Sequence, residues 1–235
     1  MRIQISFTRE LTLAAISGAA EYFEIIESQL GSAKSSEKSR IQKMVKSWKL
    51  NAEDEYAEWS IAMKEHQATF DMLLPNYFRY SFIALLLLIV ENKLADLCYA
   101  AKAVRKLDSE VPQPRRDVIK EYKSYISDKA HISGLNWDAL QELGKVRNCI
   151  VHASGKIKGY RDKSFLTQLA RKRAGLHINE GLWDYEGDLQ PLFLENHILV
   201  IEPEYCRYAV GTIKAFFEDI CDKIPLPKLV IGNEY

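Results

Sequence analysis

Apolar residues recur at spacings of three and four along most of this chain, and that periodicity constrains it to a helical fold. The stripe is longest where Ile41, Val45, Trp48, Ala52, Tyr56, Trp59, Met63, His66, Phe70 and Leu73 fall on one helix face. It predicts one helix over residues 35–74, stopped by Pro75. Such a helix spans on the order of 50–60 Å at 1.5 Å per residue. That exceeds a small core, so part of it is expected to protrude or to pack on a partner chain. His66, on the apolar stripe, reads as a core histidine.

The flanking segments carry the same period. A helix is expected from Thr8 to Leu30, ended by Gly31, and a core helix from Tyr77 to Lys106. Pro112 and Pro114 break the chain before a more polar helix, Arg116 to Lys129. Asn136 to Ala153 reads as a helix closed by Gly155. Lys163 to Ala174 is a short basic helix, and Glu204 to Lys223 the last one. Leu176 to Ile201 alternates weakly around turn residues and predicts one or two short hairpins. Pro225 and Pro227 end the ordered part. The division expected is a helical region at 1–75, a bundle at 76–224 and a tail at 225–235.

Composition narrows the class. The chain is 47% apolar and 27% charged, which supplies a sizeable core. Its 32 basic and 32 acidic residues cancel, which argues against a whole-molecule affinity for nucleic acid but leaves room for a local patch. The four cysteines, Cys98, Cys149, Cys206 and Cys221, form no C-x-x-C pair, so no zinc site is expected. The N-terminus lacks the apolar h-region of a secretory signal. The longest apolar run, Phe82 to Val90, is shorter than the roughly 20 residues a membrane span needs. A cytoplasmic protein without a membrane segment, metal or cofactor is the expectation.

One segment carries chemistry. In Gly144-Lys-Val-Arg-Asn-Cys-Ile-Val-His-Ala-Ser-Gly155, Arg147 and His152 stand with four residues between them near the end of an apolar helix, and Asn148 follows the arginine. Arginine presents a permanently charged fork to phosphate oxygens. Histidine moves protons at neutral pH. A second pair, Arg171 and His177, has similar spacing, but Gly175 interrupts it.

This segment resembles the R-x(4–6)-H signature of HEPN ribonucleases. The likeness extends over about residues 77–223. It takes in an apolar helix carrying Glu91, Asn92 and Asp96, a linker helix, the motif helix with Trp137, Leu140 and Leu143 ahead of Arg147-Asn148, and a closing amphipathic helix. It implies a mainly α, HEPN-like up-down four-helix bundle, with the long N-terminal helical extension and a small β-hairpin before the last helix. It also implies metal-independent RNA cleavage by Arg147, His152 and Asn148, through attack of the 2′-hydroxyl to give a 2′,3′-cyclic phosphate. Glu91 and Asp96 are candidates to orient the arginine.

Residues five apart on a helix are about 140° apart. Arg147 and His152 therefore do not meet on one helix, whereas Asn148 and His152 share a face. Family members converge two motifs in a dimer, so a homodimer is implied here. A bacterial defence or stress system, with an antitoxin or other regulatory partner, is the implied setting. Family toxins modified on a tyrosine two residues after the histidine have Ser154 as their counterpart here. The alternative is a non-catalytic helical dimer acting as a scaffold.

A basic stretch supports an RNA partner. Lys156, Lys158, Arg161, Lys163, Arg171, Lys172 and Arg173 face one acid, Asp162, with Tyr160 and Phe165 interleaved. Such a pattern suits backbone contact and base stacking. From Ala174 to Cys206 the sign reverses, with Glu180, Asp184, Glu186, Asp188, Glu195, Glu202 and Glu204 and no lysine or arginine.

Overall fold

A computed structural model describes residues 3–179, 197–224, 226 and 229–231. The protein is mainly helical, as its periodicity predicts, but the first helices break elsewhere. Helix α1 runs Phe7–Ser47 without interruption, capped by Ser6. Gly31 lies exposed inside it with nothing near its Cα face. An interior glycine costs about 1 kcal/mol. That is too little to end a helix buried at Phe23 on one side and at Ile41 and Val45 on the other. The chain turns instead after Trp48, where Lys49 is left-handed (φ 54°). Asn51 then caps α2 (Ala52–Gln67) by accepting from the Glu53 and Asp54 amides.

Pro75 does not stop the chain either. A π-helical turn, Ala68–Leu73, leads directly into α3 (Leu74–Arg105), with Pro75 in its first turn. Proline has no N–H and its ring crowds the carbonyl four residues back. The widened turn accommodates it while the helix keeps going. Ala52–Arg105 is thus one 54-residue helical stretch. It holds an 18-residue window of mean hydropathy 1.7, long and apolar enough by length and composition to cross a membrane, of which 39% is buried within the protein.

Helices α1 and α2 fold back on each other. His66 is buried between them, stacked on Phe70, and its Nε2 hydrogen-bonds the Lys34 carbonyl at 3.0 Å. The expected apolar stripe is therefore split. Ile41, Val45 and His66 are buried, while Trp48 and Tyr56 are exposed at the turn.

The core lies beyond this arm. It joins Ile16 and Phe23 of α1 to Phe82, Ile83, Leu86, Leu87, Val90, Leu94 and Leu97 of α3. Facing them are Leu140, Leu143 and Val146 of α5 (Trp137–Ala153), and Tyr205, Ile213, Phe217 and Ile220 of α7 (Pro203–Lys223). Numbering in chain order, α4 (Val118–Ser124) with its π-helical continuation Tyr125–Lys129, and α6 (Lys163–Lys172), flank this helical bundle.

Strands are few and short. β2 (Leu176–Asn179) pairs antiparallel with β3 (Ile198–Ile201), Leu176 opposite Ile201, in the stretch expected to form hairpins. The acids Glu180, Asp184, Glu186, Asp188 and Glu195 lie outside the described residues. The chain does not end its order at Pro225 and Pro227. β4 (Leu229–Ile231) returns to pair with β1 (Ile3–Ile5), Gln4 opposite Val230. Three-residue strands from opposite ends of the chain leave no periodicity to detect.

Arg79 locks the bundle to the hairpin. It makes a two-pronged ion pair with Glu27 of α1 (2.7 and 2.9 Å) and donates to the Ile201 carbonyl (3.1 Å). Asn76 and Tyr80 reach the same strand, Asn76 accepting from the Ile201 amide and Tyr80 donating to the Leu199 carbonyl.

Burial along α3 sets the outcome of truncation. Leu87 is 0% exposed and Leu88 is 53% exposed. Leu87→Ala is expected to cost about 2–5 kcal/mol, and Leu88→Ala to stay within about 0.5 kcal/mol. Urea unfolding that shows equal midpoints for the two variants would contradict this packing.

Candidate functional site

The motif helix α5 starts and ends where its sequence dictates. Asn136 caps it by accepting from the Ala139 amide, and Ser154 (φ 51°) followed by Gly155 (φ 79°) terminates it. A Cβ on Gly155 would collide with the Tyr80 ring and hydroxyl. Glycine is therefore needed here for space as well as for its positive φ. Past the turn, the Leu199 amide donates to the Gly155 carbonyl (2.9 Å) and the Ile157 amide to the His197 carbonyl (2.8 Å). The end of the motif helix is thereby fixed to the hairpin.

Helix α3 supplies the other wall. Glu91 meets Arg147, and Tyr80 meets Gly155, so α3 and α5 run antiparallel. The Arg147 guanidinium is half-buried and held at two points. One terminal nitrogen pairs with Glu91, and the other donates to Asn148 Oδ1 at 3.0 Å. Guanidinium has five N–H donors, so three remain after these two bonds. Glu91, one of the two carboxylates expected to orient Arg147, is in contact with it. Asp96 does not join them: it is exposed and pairs with Lys93 of its own helix at 2.9 Å. One turn and a half beyond Glu91, it lies off the row that faces α5.

His152 stands exposed in the last turn of α5, with no hydrogen bond or ion pair among the described residues. Within one chain it lies round the helix from Arg147, as five-residue spacing requires. Asn148 shares its face. The site is therefore one oriented arginine and one free histidine, near each other along the helix but not converging.

The basic stretch is only partly available. Lys158, Arg171 and Lys172 are exposed. Arg161 is exposed beside Asp162 (3.3 Å), and Lys156 bridges to Ile198 in the hairpin. Arg173 is turned inward, paired with Glu142 of α5 at 2.7 Å and stacked 4.6 Å over the Tyr208 ring. The interleaved aromatics pack on the core instead of standing free to stack on bases. The cause is local: α6 is amphipathic, with Leu166 and Leu169 buried, and Phe165 goes in beside them. Lys145, which the sequence pattern does not single out, covers the Phe165 ring at 3.9 Å and reaches Asp162 at 3.5 Å.

An apolar surface beside the motif is likewise hidden in the sequence pattern. Leu85 and Leu88 of α3 and Val151 of α5 are exposed. The antiparallel pairing puts them at the level of Asn148 and His152. In helices apolar on nearly all sides, periodicity cannot say which leucine faces outward.

Among the described residues, no cluster of three or more histidine, cysteine, aspartate or glutamate side chains is placed to hold a metal ion. A groove of about 610 Å³ lies elsewhere, between the start of α5 and α7, lined by Asp138, Glu142, Arg173, Tyr208 and Phe216 among others. No protein-family model matches the chain, and neither the curated proteins nor the solved structures yield a significant match.

Cys149 lies between Arg147 and His152 but points into the core. Burial, with Asp162 adding to it, pushes its thiol up to about 11. Burial likewise raises Cys98 to about 12 and Cys221 to about 11, and raises Cys206. Thiols with raised pKa stay protonated and unreactive below those values. In folded protein at pH 8, Ellman's reagent is expected to find no fast-reacting cysteine, and denaturant to expose all four. Rapid labelling of one thiol per native chain would show that the helix carrying it is not packed as described.

Proposed function

We infer that this protein is a HEPN-type, metal-independent endoribonuclease working in the cytoplasm as a homodimer. The observation that carries the reading is the state of the motif. Arg147 is held in a fixed direction by Glu91 and Asn148, while His152 a turn later is exposed and uncommitted. A structural pair would account for the arginine but leaves the histidine without a task.

The chemistry follows from those residue types. The RNA 2′-hydroxyl attacks the adjacent phosphorus and gives its proton to a neutral histidine. The bond to the 5′-oxygen breaks, and that oxygen leaves with a proton from a protonated histidine. The products are a 2′,3′-cyclic phosphate and a 5′-hydroxyl. Arg147, with three N–H donors left, stabilises the charge that builds on the phosphorane oxygens.

One chain presents a single motif histidine, and base and acid are both needed. A second copy seated on Leu85, Leu88 and Val151 supplies the other His152 in the same cleft. Lys158, six residues after His152, and the more distant Arg171 and Lys172 are exposed and would supply backbone contacts along a bound strand. A bacterial defence or stress role, held in check by a regulatory partner, fits an enzyme of this kind.

One observation favours the alternative, a non-catalytic helical scaffold. Glu91 already neutralises Arg147, and such a pair is also a way to fasten α3 to α5. The two readings separate on His152, which is exposed.

Purified protein incubated with total RNA and excess chelator is expected to leave 2′,3′-cyclic phosphate ends. His152→Ala should slow cleavage by about 10²–10⁴-fold with an unchanged melting temperature. Cleavage at the wild-type rate by His152→Ala, or its loss on chelation, would end the proposal; absence of cleavage in wild type favours the scaffold. Leu88→Asp with Val151→Asp is expected to break the pairing through the site face, lowering the particle mass, and to abolish cleavage together. Full activity of a strict monomer would remove the composite cleft. Lys158, Arg171 and Lys172 replaced by alanine should flatten the slope of log affinity against log salt by roughly 0.7 for each phosphate that is no longer neutralised.

A further inference from the structure

The α1–α2 arm has opposite charges on its two helices. Residues 34–49 carry six cations, Lys34, Lys38, Arg40, Lys43, Lys46 and Lys49, against Glu37. Residues 52–67 carry five acids, Glu53, Asp54, Glu55, Glu58 and Glu65, against Lys64. The two sets do not neutralise each other across the arm. Arg40 pairs within α1 to Glu37, and Lys34 pairs with Asp71. Lys38, Lys43, Lys46 and Lys49 are exposed and make no ion pair among the described residues, and neither do Glu55 and Glu58.

Between the helices near the turn lies a groove of about 320 Å³, lined by Gln42, Val45, Lys46, Ala52, Glu55, Tyr56 and Trp59. Lys46 is on its α1 wall and Glu55 on its α2 wall. Tyr56 is 69% exposed at the edge, 6.3 Å from the Trp59 ring, and Trp48 and Leu50 are exposed at the turn itself. None of the α2 residues belongs to the bundle core, so burying the bundle leaves this apolar end uncovered.

We propose that the arm is a self-association surface, on which a second copy of this chain seats its own arm tip by two-fold symmetry. A two-fold interface must be self-complementary, so that residue i meets j and j meets i. The groove has that property. Lys46 of one copy faces Glu55 of the other, and the reverse pair forms by symmetry, while each Tyr56 enters the opposite groove against Trp59. Exposed aromatic surface is covered, and both unpaired charge rows gain partners. An RNA strand fits less well, since five acids line the other helix. The interface lies on the arm, away from α5, and the inference does not depend on the nuclease reading.

The test uses the full chain with the motif face blocked by Leu88→Asp and Val151→Asp, so that only the arm can associate. Light scattering over a range of concentrations is expected to show twice the chain mass. Adding Lys46→Glu, or separately Glu55→Lys, should return the mass of one chain. Combining Lys46→Glu with Glu55→Lys restores both pairs with signs reversed and should bring back the doubled mass. All four positions are solvent-facing or partly so, and unchanged far-ultraviolet circular dichroism verifies folding. A strict monomer with the arm intact overturns the proposal, as does a mass indifferent to either single charge reversal. Failure of the double reversal to restore association overturns it too. A fall in RNA affinity for Lys46→Glu without any change of mass would assign the groove to nucleic acid instead.

Discussion

The rest of the structure hangs on α3, which is buried along one side for most of its length. Phe82, Ile83, Leu86, Leu87, Val90, Leu94 and Leu97 are all within 1% of complete burial. Full burial of such a side chain contributes about 1.5–3 kcal/mol. Because α1, α5 and α7 all pack on this row, the position of each is set relative to it. At its start, Asn76, Arg79 and Tyr80 hold strand β3 through the backbone groups of Leu199 and Ile201. Further along, Glu91 holds Arg147. One helix thus fixes the hairpin, the end of the motif helix and the direction of the candidate arginine.

That arrangement holds the polar part of the site from two sides. Arg147 is restrained from α3, and the turn after His152 is restrained by β3 and by the approach of Tyr80 to Gly155. His152 lies between two anchored points yet is itself exposed. Donors oriented in advance need little reorganisation to stabilise a nearby negative charge. Leu85, Leu88 and Val151 are exposed near the level of His152 along the helices. Trp48, Leu50 and Tyr56 are likewise exposed at the tip of the arm.

Much of the fold was legible in the sequence. The cores of α3, α5 and α7 follow from apolar residues at helical spacing, and Asn136 and Gly155 mark the ends of α5 by the chemistry of caps. The expected hairpin region does contain β2 and β3. The errors share a cause. Gly31 and Pro75 are helix breakers by local propensity, and both were overridden, Gly31 by burial on either side of it and Pro75 by a widened turn. The outer β1–β4 pair joins the two ends of the chain, and no local window contains it.

For the candidate site, helical spacing alone puts Arg147 and His152 on one helix about 140° apart, with Asn148 sharing the histidine's face. The basic residues follow directly in the sequence. Which of them stay free depends on how the helices pack. Glu91 was one polar residue among several on α3 until the antiparallel packing placed it against Arg147, while Asp96, five residues on, went to solvent. Arg173 turned inward to Glu142 and Tyr208, and Tyr160 and Phe165 packed on the core. Spacing along a chain fixes direction around one helix axis. Which neighbour a side chain meets depends on how a second helix is rotated and aligned against the first, and that is settled by burial summed over the whole bundle.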